Sequence, residues 1–137
     1  MAVIEALIQK EENGTLSFGN YELEKKTKLS DFECNGDLYK VKTFKEITKL
    51  ERNGLFVYES VPGTVVHGLS VTDKGVGFRV EAKEDVQITL ELEAEKEYKV
   101  YIDGTNVGKM KTNLGGKLNM SVELSPEEEV EVKVVKL

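Results

Sequence analysis

The sequence predicts a mainly β protein whose second half forms an immunoglobulin-like antiparallel sandwich. Apolar residues occupy every second position at 86–92, 98–102, 118–124 and 130–134. Successive side chains of a strand point to opposite faces, so this spacing buries one face and leaves the other in water. Short turn sequences separate roughly seven strand-like runs after Thr64, which favours a sandwich or small barrel over alternating strands and helices.

The N-terminal part is predicted to be rich in hairpins and to begin with a short helix. Within residues 2–10, the apolar residues follow the spacing of a short amphipathic helix, although a strand is also possible; they are Val3, Ile4, Leu7 and Ile8. Gly19-Asn20, Asn35-Gly36 and Asn53-Gly54 are typical of hairpin turns, because these residue types tolerate positive φ. We expect the first of them to join residues 16–18 to residues 21–23.

Residues 43–54 allow two interpretations. The apolar runs on either side of Asn53-Gly54 can pair as a hairpin, which we prefer. The alternative is a helix, because Thr43 and Glu46 have the spacing of a capping box. The sequence around Pro62 then interrupts any strand, so we divide the chain into residues 1–63, the hairpin-rich part, and residues 64–137, the sandwich.

Composition narrows the classes of function. The chain has 137 residues and a net charge of −6, and this charge argues against a nucleic-acid partner. Cys34 is the single cysteine, so neither an intramolecular disulfide nor a cysteine zinc site can form, and we expect a buried thiol. No apolar run is long enough for a membrane span, and no secretory signal is recognisable. We therefore expect a cytoplasmic protein by default, with export by another route still open.

The sequence contains no convincing catalytic, cofactor or metal motif. His67 is the only histidine, so any Ser-His or Cys-His catalysis would depend on this ring, and we interpret it as a structural strand residue. A pair between His67 and Cys34 is a geometric possibility only. The glutamates at 91–97 and 127–131 are interpreted as solvated residues that protect strand edges. We predict no cofactor and no bound metal.

Tyr101 and Lys99 form the candidate ligand-binding site. Tyr101 is one position out of phase with the apolar residues Val100 and Ile102, so it is expected on the outer face of its strand beside Lys99. An exposed ring flanked by polar groups can stack on a sugar or anchor a protein partner.

Several stretches resemble a small bacterial family that is sometimes labelled endosialidase. They are residues 1–5, 38–54, 59–64, 98–104 and 111–116. The resemblance spans nearly the whole chain and implies an accessory or assembly part of a system that acts on polysaccharides. It carries no catalytic residue over to this sequence. The stretch after residue 98 also resembles the closing hairpins of immunoglobulin-like modules appended to polysaccharide-acting enzymes.

These observations predict a non-enzymatic structural or protein-interaction module. Its specific form is self-assembly through an apolar N-terminal surface made of Val3, Ile4, Leu7 and Ile8. The expected partner is a second copy of the chain or another protein. The alternative is a carbohydrate-binding module, with a glycan as the ligand of Tyr101 and Lys99.

Overall fold

The structure is a computed structural model that describes residues 3–137, and this part of the chain contains strands and turns but no helix. The strands are β1 (Ile8–Lys10), β2 (Leu16–Phe18), β3 (Thr27–Cys34), β4 (Asp37–Phe44), β5 (Ile47–Arg52), β6 (Leu55–Val61), β7 (Val65–Thr72), β8 (Gly75–Glu81), β9 (Val86–Glu91), β10 (Glu97–Ile102), β11 (Thr105–Lys111), β12 (Lys117–Val122) and β13 (Val130–Lys136).

Two antiparallel sheets make up a sandwich-like fold, which confirms the mainly β class. The large sheet has seven strands in the order β1-β2-β7-β8-β13-β10-β11, and the small sheet has six in the order β12-β9-β6-β5-β4-β3. Both sheets combine strands from either side of residue 63, because β2 pairs with β7 and β6 pairs with β9. The expected alternation is confirmed in β9, β12 and β13, whose inward residues are buried.

Aromatic packing joins the two sheets at the centre of the core. Tyr58 of the small sheet is fully buried, and its ring lies edge-on to Phe18 and Phe78 of the large sheet, at centroid distances of 5.3 and 5.6 Å. Perpendicular aromatic pairs of this kind stabilise a protein more than the burial of their apolar surface alone would do. The rest of the core is mainly aliphatic, with Cys34, Tyr98 and Met120 also buried in it, and comes mostly from strands of both sheets.

Buried hydroxyl groups form a network beside this aromatic cluster. Thr64 Oγ1 lies 2.8 Å from both Tyr58 Oη and Ser60 Oγ. Thr48 Oγ1 donates to the Thr64 carbonyl at 3.0 Å and lies 2.8 Å from Thr43 Oγ1. Because these polar atoms are buried, their mutual hydrogen bonds compensate for lost contact with water. The network ties β4, β5 and β6 to the residue that precedes β7.

The predicted N-terminal helix is wrong. Leu7 has φ 73°, which is outside the helical region, and its carbonyl accepts the Gly19 N–H at 3.0 Å. Residues Ile8–Lys10 instead pair with Leu16–Phe18. A short isolated helix has marginal stability, whereas pairing with β2 satisfies the backbone and buries Ile8 in the core. Ala2, the first residue of the segment in which the helix was predicted, lies outside the described part of the chain.

The hairpin interpretation of residues 43–54 is confirmed, and the first predicted hairpin is wrong. β5 and β6 pair about Asn53-Gly54, whose φ angles of 53° and 81° are both positive, as a type I′ turn requires. Asn35-Gly36 joins β3 to β4 in the same way. Residues 21–23 form no strand, because β2 already pairs with β1 on one side and β7 on the other.

Candidate functional site

The outer face of the small sheet carries a continuous row of polar side chains. The register places one residue of each strand in this row, from β3 to β12: Lys28, Lys42, Lys49, Glu59, Thr89 and Asn119. The neighbouring positions on these strands point into the core, as buried Val41 and Leu50 illustrate. Six strands spaced by about 4.8 Å make the row about 24 Å long.

Three lysines form the first half of this row and are called the lysine row below. Lys28 lies opposite Lys42, and Lys42 lies opposite Lys49. Like charges directly opposite each other on neighbouring strands destabilise a sheet. Partial burial, together with the charges of Lys26, Lys49 and Lys28, lowers the pKa of the Lys42 ammonium group. The chain therefore concentrates positive charge on this surface although its net charge is −6.

A small depression lies within the lysine row. It has a volume of about 60 Å³ and is lined by Lys28, Lys40, Lys42, Lys49 and Glu51. The only ion pair within this lining joins Lys49 Nζ to Glu51 Oε2 at 3.6 Å. A depression of this size and charge can accept a single carboxylate or sulfate group, whose negative charge would reduce the repulsion between the ammonium groups.

Beyond Glu59, the outer faces of β9 and β12 carry four hydroxyl and amide side chains beside the ion pair of Lys117 with Glu91. Thr89 Oγ1 donates to Asn119 Oδ1 at 2.5 Å, and Gln87 Nε2 donates to Ser121 Oγ at 2.6 Å. These four residues are called the polar ladder below. Amide and hydroxyl groups can both donate and accept hydrogen bonds, so this part of the surface can match the hydroxyl groups of a neutral or acidic sugar.

Phe56 lies between the charged and polar parts of the face. Its ring is half-buried, with Lys117 Nζ 4.5 Å and Lys49 Nζ 5.6 Å from the ring centroid. Lys117 also forms an ion pair with Glu91. The two cation–π contacts hold the lysine side chains over the surface and keep their charges close to it.

The sequence-predicted residues Tyr101 and Lys99 lie on the other sheet. Both are half-buried and lie on β10 with their side chains on the face opposite buried Val100. Lys99 is opposite Lys109 of β11, and Tyr101 is opposite Lys133 of β13. The structure therefore brings Tyr101 and Lys99 together on the outer face of the large sheet, away from the lysine row.

The N-terminal apolar residues contribute mainly to the molecule's own core. Ile4 and Ile8 are buried, and Leu7 packs against the core cluster. Val3 is half-buried. These side chains therefore present little apolar surface to a partner while the chain is folded.

A cleft opens at the end of the sandwich where the β5–β6 and β7–β8 turns meet the end of β9. It has a volume of about 300 Å³, and its lining includes Leu55, Val71, Leu92 and Glu93. Glu93 pairs with Lys136 Nζ at 2.7 Å, and this contact lowers the pKa of the Glu93 carboxyl. The lining also includes the charged residues Arg52, Asp73 and Glu91, so the cleft is of mixed polarity.

Sequence reasoning missed the lysine row because its members are far apart along the chain. The alternation of Lys26 with Lys28 and of Lys40 with Lys42 is visible in the sequence and indicates outward-facing positions. Only the register of β3, β4 and β5 brings Lys28, Lys42 and Lys49 into one line.

Comparisons with protein-family models, curated proteins and solved structures find no match for this chain. Within residues 3–137, no helix has the length and apolar character needed to cross a membrane.

Proposed function

We propose that this protein is a non-enzymatic binding module, and that the outer face of its small sheet binds an acidic glycan chain. The observation that carries the proposal is the alignment of Lys28, Lys42 and Lys49 across three adjacent strands. Repulsion between the aligned ammonium groups lowers the stability of the protein. A bound polyanion would offset this repulsion, because each ammonium group is attracted to the negative charges of the ligand.

The spacing of the row supports a linear polymer as the ligand. Neighbouring strands are about 4.8 Å apart, which is similar to the length of one sugar residue in an extended chain. A glycan with a carboxylate on each residue could therefore place successive charges over successive lysines. Beyond Glu59, the fourth residue of the row, the polar ladder would meet the hydroxyl groups of later sugar residues.

An acidic glycan fits this face better than an acidic protein does. The core of a protein–protein interface is depleted of charge and enriched in aromatic and other apolar residues. Apart from half-buried Phe56, the row and the polar ladder carry charged, hydroxyl and amide groups. The resemblance to the family labelled endosialidase points to the same ligand class, because polysialic acid carries one carboxylate on each sugar.

The test is a binding titration with polysialic acid and with a neutral glucan of similar length. We expect the acidic polymer to bind, with an affinity that falls as salt is added, and the glucan to bind weakly or not at all. The double variant Lys42→Gln, Lys49→Gln should weaken binding at least tenfold. Equal binding of the two polymers would refute the proposal.

The double variant Lys99→Gln, Tyr101→Ala is the matched control, because it alters the sequence-predicted site on the other sheet. We expect it to bind the acidic polymer as the unmodified chain does. If it loses binding while Lys42→Gln, Lys49→Gln keeps it, the glycan site is at Tyr101 and Lys99 instead. Stronger binding of an acidic peptide than of polysialic acid would favour a protein ligand.

Self-association is a second candidate function, favoured by the edge strand β11. Within residues 3–137, this strand pairs only with β10 and is exposed along almost its whole length, with Val107 58% exposed. Its free edge could pair with a second copy, although Lys109 and Lys111 are typical of protected edges.

Light scattering across a dilution series tests self-association. A dimer that Val107→Lys dissociates would support pairing through β11, and Leu114→Lys is the control because Leu114 is exposed but lies outside the strand. A monomer at every concentration would refute self-association.

The assignment of the sandwich to the immunoglobulin-like class is also a proposal, supported by the two facing antiparallel sheets.

A further inference from the structure

Three ionisable side chains converge on the outer face of the large sheet. His67 lies on β7, Glu81 ends β8, and Glu129 immediately precedes β13. Potential ligand atoms of the three residues all lie within 4.8 Å of one another. His67 and Glu81 belong to the paired strands β7 and β8, in which His67 lies opposite Arg79. Glu129 is next to Val130, which pairs with Val80 of β8, so the register of the sheet brings the three residues together.

Two atoms of this cluster are buried without a partner. Glu81 is only 2% exposed, and its Oε2 accepts no hydrogen bond from residues 3–137. His67 Nε2 is also buried, with no hydrogen-bond partner in the same part of the chain. A buried carboxylate oxygen and a buried imidazole nitrogen that remain unpaired are costly, and a cation bound between them would pair with both.

We propose that His67, Glu81 and Glu129 bind one divalent transition-metal ion, with zinc as the expected ion and water as the fourth ligand. One imidazole nitrogen and two carboxylate oxygens are a ligand set that zinc accepts, and imidazole disfavours calcium and magnesium. Three protein ligands and an open fourth position are typical of zinc sites that can exchange water.

The geometry requires only a small contraction. Zinc ligands about 2.1 Å from the metal in a tetrahedral arrangement lie about 3.4 Å from one another, compared with the upper limit of 4.8 Å here. Glu129 can supply this movement, because its side chain is one-third exposed and lies in the segment before β13.

Charges around the cluster bear on the affinity. Arg79 Nε is 3.8 Å from Glu129 Oε1 and competes with a metal for that carboxylate. Burial is the main cause of the raised pKa of the Glu81 carboxyl, and the negative charge of Glu129 raises it further. A bound metal ion would have the opposite effect, because its positive charge favours the ionised form of Glu81. The carboxylates of Glu81 and Glu129 outnumber the guanidinium of Arg79, and the carboxylate of Glu127 adds to the negative charge that acts on Glu81, which would attract a divalent cation.

The single histidine makes the test specific, because all imidazole nitrogen signals in the NMR spectrum of the tag-free chain belong to His67. We expect zinc to shift the Nε2 resonance and to saturate at one equivalent. An unchanged Nε2 resonance up to millimolar zinc would refute the site.

Two glutamine variants separate the site from general attraction of cations. Glu129→Gln should weaken zinc binding at least tenfold, whereas Glu128→Gln removes the same charge from the same segment and should leave binding unchanged. Glu81→Gln should abolish binding and keep the fold, because it replaces a buried carboxyl with a neutral group of the same shape. Equal zinc affinities for Glu129→Gln and Glu128→Gln would overturn the proposal even if Glu81→Gln fails to fold.

Discussion

Lys42 lies directly opposite Lys49 across β4 and β5, and no acidic residue separates them in the register. Opposite lysines are unfavourable in a sheet, and Lys28 extends the same line on the other side of Lys42. Natural sheets more often place opposite charges in such positions. Under the proposed function, a bound polyanion would relieve the repulsion between these ammonium groups.

Replacing Lys42 with glutamine should therefore stabilise the protein. We expect Lys42→Gln to raise the free energy of unfolding by about 0.5 kcal/mol at low ionic strength, measured by urea denaturation. The gain should shrink as salt screens the repulsion. Lys25→Gln is the control, since Lys25 is exposed and outside the sheets. A loss of stability in Lys42→Gln would contradict the repulsive interpretation.

The N-terminal segment should act as part of the core. We expect Ile8→Ala to lower the free energy of unfolding by about 2–4 kcal/mol, because Ile8 is 2% exposed and its truncation leaves a cavity. Urea denaturation measures this loss, and light scattering of the same variant should give an unchanged mass. A lower mass without a loss of stability would instead support an interface at this segment.

Tyr58 should make the protein sensitive to alkali. Burial raises the pKa of Tyr58 to about 12, whereas an unfolded tyrosine titrates near pH 10. Between these values the unfolded chain has released the proton and the folded chain retains it. The stability contribution is therefore complete below about pH 10 and is lost as the pH rises towards about 12.

The variant Tyr58→Phe isolates this effect. It removes the hydroxyl group that lies 2.8 Å from Thr64 Oγ1, at an expected cost of about 1 kcal/mol at neutral pH. Its stability should fall less steeply between pH 10 and pH 12 than that of the unmodified chain, as followed by urea denaturation at each pH. Tyr101→Phe, at a half-buried tyrosine, is the control. Identical alkaline profiles for Tyr58→Phe and the unmodified chain would rule out this role.

Gly19 should tolerate no side chain. It has φ 104°, and a Cβ atom at this position would lie 2.4 Å from the Thr64 carbonyl oxygen, which is held in the buried hydroxyl network. We expect Gly19→Ala to cost about 2–3 kcal/mol by thermal or urea denaturation. Gly36→Ala tests positive φ alone, because no atom of the described chain lies within 4 Å of its Cβ position, and should cost about 1 kcal/mol. Equal costs would show that crowding at Thr64 is unimportant.

Local chemistry explains which parts of the fold could be predicted from the sequence. Asn35-Gly36 and Asn53-Gly54 were identified as turns because few other residue pairs adopt two successive positive φ angles. The strands β9, β12 and β13 were identified because their apolar residues alternate with the period of a strand. Both signals depend on neighbouring residues only.

The N-terminal segment shows where local signals fail. The spacing of Ile4, Leu7 and Ile8 suits a short helix, but β2 offers backbone partners and a core that a helix could not reach. Likewise, Gly19-Asn20 has the composition of a hairpin turn, whereas the Gly19 backbone is required for close approach to Thr64. In both places contacts between distant segments outweigh local preference.

The sequence by itself determined the mainly β class, the principal hairpin turns and the alternation of buried and exposed residues. The tertiary structure decided which surface residues meet: it aligned Lys28, Lys42 and Lys49, and it grouped His67, Glu81 and Glu129. The physical reason is that alternation specifies the face on which a side chain lies. Its neighbours on that face depend on strand order and register, which arise from packing of the whole chain.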